Sequence, residues 1–176
     1  KQVDGVILAA TIFTDEHKQI LEKMKVPVVI VGQNLSGYCC VYHDDYHAIY
    51  EMTRTFLEQG RNRLGYIGVL HQDRAAGLER YHGYSRAVVE MGYEEMADCY
   101  VTADFTYESG YEKAKELLEK NPKLNGIICA TDTIAAGAMQ YIQEQGIQIP
   151  EQIRLSGLGD SVIARMSNPP MATIQY

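Results

Sequence analysis

Apolar residues along this chain follow two alternating rhythms. Short, mostly apolar runs at Val3–Ala9, Val26–Val31, Leu64–Leu70, Cys99–Thr102, Gly126–Ala130, Ile153–Leu158 and Ala172–Tyr176 predict strands. Between them, apolar side chains recur at three- and four-residue spacing. Examples are Ile49, Met52, Thr53, Phe56 and Leu57; Tyr84, Ala87, Val88 and Met91; and Ile134, Ala138, Tyr141 and Ile142. Each stripe predicts a helix with one buried face, and Gly60, Gly92 and Gly146 stop these three. Two shorter stripes, His17–Met24 and Tyr111–Leu118, predict further helices, and a short one follows Asp160. The segment Leu35–Tyr42 is the least regular and reads as an exposed loop leading into an edge strand. Strands alternating with one-sided helices predict an α/β fold with parallel sheets covered on both faces.

In such folds ligands sit beyond the carboxyl ends of the strands, near helix N-termini. Those ends fall here at Ala9–Thr11, Gly32–Asn34, His43–Asp45, His71–Asp73, Ala103–Phe105, Thr131–Asp132 and Gly159–Asp160, and most carry short polar groups. Charge narrows the range of partners. The 176 residues hold 23 acids and 16 bases, a net −7, and an acidic chain is repelled by nucleic-acid phosphates. No apolar run reaches the roughly 18 residues of a membrane span. Lys1–Ala10 reads as a strand rather than a secretory leader. Cys39, Cys40, Cys99 and Cys129 form no C-x-x-C pair and read as reduced, mostly buried thiols of a cytosolic protein.

Enzyme signatures are weak. Gly157-Leu158-Gly159 begins like a dinucleotide loop, but Val162 stands where the third glycine is needed. No Walker loop occurs. His43 and His47 lie four residues apart and could share a metal on a helix. The plainer reading is that Asp44 or Asp45 caps the helix that follows. Asp104, Asp132 and Asp160 could be general acids, and each also stands where a helix cap is needed. Arg80 reads as the start of the 81–91 helix, where its charge opposes the helix dipole. It is either a solvated surface cation or a guanidinium aimed into a cleft, suited to vicinal hydroxyls or a phosphate. Phe105 is either a core residue or a platform for a sugar ring.

Several segments, in order and across nearly the whole chain, resemble the regulatory core of the LacI/GalR repressors. They are VDGVILA at 3–9, VPVVIVG at 26–32, HDDYHA at 43–48, LEQGRNRLGYIG at 57–68, ERYHGY at 79–84, the stretch 130–160 and NPPMATIQY at 168–176. The details are most similar to sucrose- and trehalose-type regulators of Gram-positive bacteria. The resemblance implies two Rossmann-like lobes of the periplasmic-binding-protein-like type I fold, with a partial first lobe at 1–62, a second at 63–171, and 172–176 crossing back as a strand. It implies a cytoplasmic homodimer, and the residues themselves point to no enzyme, no cofactor and no metal. A sugar or sugar phosphate would bind between the lobes and change operator affinity through a DNA-binding head. That head, and two further β-α units of the first lobe, are expected to precede Lys1. The effector-binding residues it implies are Arg80, Asp45, Phe105, Thr131, Asp132 and Asp160, with Ala9 where some members carry a polar contact. Gly159 replaces the family's usual acid, which implies a less acidic pocket, more tolerant of phosphate. Arg61 replaces its usual histidine. A sugar-binding protein for transport is the alternative with the same fold.

Overall fold

The computed structural model describes residues 3–94 and 97–175. Seven strands form two parallel sheets. The first runs β1 (Val6–Ala9), β2 (Val28–Val31), β3 (Cys39–Val41), in that order. The second has the order β5 (Tyr100–Thr102), β4 (Leu64–Gly68), β6 (Gly126–Cys129), β7 (Arg154–Ser156). The helices are α1 (Asp15–Glu22), α2 (Asp45–Glu58), α3 (Arg80–Glu90), α4 (Tyr107–Lys120), α5 (Asp132–Glu144) and α6 (Val162–Met166).

The two sheets are covered differently. Every residue of β4 and β6 is buried, as their unbroken apolar runs require. Helices α2 and α3 cover one face of the second sheet, through Ile49, Phe56, Tyr84 and Val88 against Tyr66 and Ile128. On the other face, α4 and α5 bring Leu117, Ile134 and Ile142 against Ile67, Ile127 and Leu155. In the first sheet β1 alternates, and Ile7 is 78% exposed. Helix α1 lines a hollow with Val6 and Leu8 through Ile20 and Leu21, with Met24 just past its end, so among the described residues this sheet has one covered face rather than two. Cys39 is exposed and Cys40 partly so, while Cys99 and Cys129 are buried; all four are free thiols.

Helix α2 packs into the core of the second sheet, through Ile49, Phe56 and Leu57. Three expectations need correction. Residues 172–175 form a single bridge, Ala172 to Ser156, rather than a strand. The N–H groups of Gly157 and Gly159 donate to the carbonyls of Ala172 and Ile174 at 2.9 and 2.8 Å, which holds this tail beside β7; Tyr176 lies outside the described residues. The caps of α4, α5 and α6 are Thr106, Thr131 and Ser161, not Asp104, Asp132 and Asp160. Finally, a π-helical turn at Arg74–Glu79 precedes α3, capped by Asp73. Arg80 therefore lies inside a continuous helical run and does not face an open helix start. Arg61 has a structural use, donating to the carbonyls of Pro150 and Glu151 at 2.9 and 3.0 Å.

Two glycines set the helix spacing. A Cβ on Gly83 would stand 2.2 Å from the Tyr46 carbonyl oxygen, and one on Gly137 would stand 1.9 Å from that of Tyr107. Only a bare α-carbon lets α3 lie on α2, and α5 on α4, this closely.

Candidate functional site

The close crossing at Gly83 has a consequence one turn away. It brings Arg80, on α3, against Asp45, the first residue of α2. Both are buried, at 6% and 5% exposure. Arg80 Nε donates to Asp45 Oδ1 at 2.7 Å, and Nη2 lies 2.7 Å from the same oxygen. Arg80 Nη1 donates to the carbonyl of Ala130, at the end of β6. Buried opposite charges persist only when paired and hydrogen-bonded, and this pair is both. Asp44, exposed beside it, caps α2 by accepting from the His47 N–H at 3.0 Å, and its other oxygen lies 3.0 Å from His47 Nδ1. This is the plainer of the two readings of that histidine.

Arg80 and Asp45 line a cavity of about 570 Å³. The first sheet contributes the ends of β1 and β2, with Ala9, Thr11, Gly32 and Gln33; His43 follows β3. The second-sheet side contributes Asp73, Ala76 and Phe105. The cavity thus lies at the carboxyl ends of strands from both sheets, where an open α/β arrangement places ligands. Gln33 is buried and its side-chain amide donates to the Ala10 carbonyl, which fixes the wall of the first lobe. Phe105 is 49% exposed, too open for a core residue, and stands on the loop after β5. Asp73 is buried and accepts the Ala76 N–H at 2.9 Å. Burial pushes its carboxyl above the usual range, the Ala76 N–H and Arg80 pull it back, and Asp45 adds a further upward push.

The six residues expected at the site divide evenly. Arg80, Asp45 and Phe105 share the cavity. Thr131, Asp132 and Asp160 are not among the residues that line it. Thr131 accepts the Ile134 N–H as the cap of α5. Asp132 is 2% exposed and accepts from the Ser161 N–H at 2.7 Å and the Thr173 hydroxyl at 2.6 Å, tying the start of α6 to the tail. Asp160 is paired with Arg165, whose Nε lies 3.0 Å from its carboxylate and which holds it below the usual range. Gln33, His43 and Asp73 also line the cavity and were not among the six. The signal for them was present, since each stands at a strand end, the location the fold class marks for ligands.

Comparison with known proteins decides the family. Residues 53–176 match the periplasmic binding protein-like domain family. The chain belongs to that family. Its relatives are LacI-family regulators. Over 176 residues it is 27% identical to catabolite control protein A of Priestia megaterium, an alignment covering 99% of this chain and 53% of that protein. It is 30% identical over 175 residues to the sucrose operon repressor of Staphylococcus xylosus, covering 99% and 53%. Among solved structures, a complex of the transcriptional regulator CelR with cellobiose superposes with a TM-score of 0.90 at 31% identity, covering 99% of this chain and 54% of that one. The chain therefore spans about half the length of the curated relatives it matches. These periplasmic binding protein-like relatives are transcription regulators, not enzymes. No helix among the described residues is long and apolar enough to cross a membrane.

Proposed function

We propose that this chain is the effector-binding part of a sugar-responsive transcriptional repressor, and that its effector binds in the cavity walled by Arg80, Asp45 and Phe105. The observation that carries this reading is the buried Arg80–Asp45 pair, placed where strand ends of both sheets converge. A ligand there touches both lobes, so it can favour one lobe arrangement over another by binding it better. Operator affinity then changes through a DNA-binding head outside these residues; the net charge of −7 fits a division of labour in which this part does not touch DNA. The protein is a cytoplasmic homodimer, and the exposed Val162, Ile163 and Met166 of α6 support a contact between copies. It is a sensor and not an enzyme. The kinship with repressors favours regulation over transport.

The reading is tested by calorimetric titration of the protein with cellobiose, sucrose and trehalose. At least one should bind, and Arg80→Ala should weaken it ten- to a hundredfold, about 1.4–3 kcal/mol. Absence of binding by all three, or an unchanged affinity in a folded Arg80→Ala protein, would refute it.

A further inference from the structure

We infer that the second-lobe wall of this cavity accepts an uncharged, hydroxyl-bearing sugar ring and rejects a phosphorylated one, and that Asp73 is the residue that sets this preference. The inference rests on the effector-site reading above and goes beyond it. An arginine in a sugar cleft invites an anion, and the loss of an acid at Gly159 points the same way. The contacts point the other way. Two nitrogens of Arg80 are engaged by Asp45 Oδ1 and a third donates to the Ala130 carbonyl, so the cation is already matched by a carboxylate within the wall. Asp73 then adds a second carboxylate. Among the described residues that line the cavity there is no lysine and no second arginine. Gly159 is not one of those residues, so its lack of a carboxylate does not lower their acidity.

The wall thus carries two carboxylates against one guanidinium. A buried carboxylate short of cations gains from hydroxyl donors, since each O–H···O bond to a charged acceptor is stronger than a neutral one. Arg80 Nε and Nη2 both meet Asp45 at Oδ1, and we assign Oδ2 to a ring hydroxyl. Asp73 accepts from the backbone N–H groups of Ala76 and Ala75, and it adds a second carboxylate to the wall. A phosphate dianion in this place would meet the excess negative charge in a partly desolvated setting, where like charges repel more strongly than in water.

The test uses matched pairs at constant ionic strength: sucrose with sucrose 6-phosphate, trehalose with trehalose 6-phosphate, and glucose with glucose 6-phosphate, each titrated into the protein by calorimetry. In any pair that binds, the neutral member should bind at least tenfold more tightly. Asp73→Asn keeps a side-chain oxygen to cap the π-helical turn while removing the charge. It should narrow that ratio at least threefold with the melting temperature preserved. A phosphorylated sugar that binds as tightly as its neutral partner, or tighter, overturns the inference. So does a ratio that Asp73→Asn leaves unchanged. Failure of every neutral and phosphorylated sugar to bind refutes the effector reading itself, and this inference with it.

Discussion

Arg80 and Asp45 bury opposite charges 2.7 Å apart in a wall that water barely reaches. Desolvating two ions costs several kcal/mol each, and mutual attraction offsets that only while both remain. Removing one partner should therefore cost more than removing both. Arg80→Met or Asp45→Leu alone should lower the unfolding free energy by about 3–5 kcal/mol, and the double variant should recover most of the loss. Urea unfolding of the four proteins measures the coupling, and additive losses would show that the pair is not an energetic unit. Arg80 was legible in the sequence, but for an incomplete reason. Its unfavourable place at a helix start drew attention to it, and the helix in fact begins at the π-helical turn of Arg74. The partner was legible only through the family resemblance, because no local pattern links residues 35 positions apart. Asp132 looked like a cap and a site residue. It is not the cap of α5, and its two donors, the Ser161 N–H and the Thr173 hydroxyl, lie 29 and 41 residues away and become neighbours only after folding.

At the scale of elements, strands and long helices were legible because their apolar periods were long and consistent. The misses have physical causes. Six residues of π-helix carry no apolar stripe of their own, so Arg74–Glu79 drew no element in the sequence. Caps slipped because threonine or serine stands within two residues of each aspartate, and the residue whose backbone turns extended takes the role. Helix α4 offers a test of surface electrostatics. Hydrogen bonds from Lys113 and Lys120 hold Glu116 down to about 2 from an ordinary 4.5. A depressed carboxylate contributes stability that is present above its unfolded value and lost as pH falls toward its folded one. Glu116 is 36% exposed, so two helix-surface pairs are worth only about 0.5–1 kcal/mol together. The difference in unfolding free energy between the protein and Glu116→Gln should shrink from that value to nothing between pH 4.5 and about 2. A difference that does not change with pH would show that these pairs contribute no stability.

The described residues form two unequal units that share the Arg80 cavity. Strands β1, β2 and β3 hold to one another, while α2 to α6 gather on the second sheet, with the chain after β3 as the link. Sequence periodicity could not place α2, because a one-sided helix does not announce which sheet it will cover; Ile49, Phe56 and Leu57 settle it by their packing. With the Gln33 side of the cavity belonging to one unit and the Arg80 side to the other, a ligand in it is the shared neighbour of both. Two consequences are separable. Binding alone should raise stability by about 2.7 kcal/mol at a ligand concentration a hundred times Kd, wherever on the protein the ligand sits. Bridging predicts more, because a ligand held between units restrains motions that each unit makes on its own. Amide exchange of the protein with a saturating sugar from the panel should therefore slow both at Gly32–Gln33 and at the turn Asp73–Ala76. Slowing confined to the second unit would mean that the sugar contacts one wall only. The coupling from cavity to lobe arrangement, on which a regulatory signal depends, would then lack its mechanical basis.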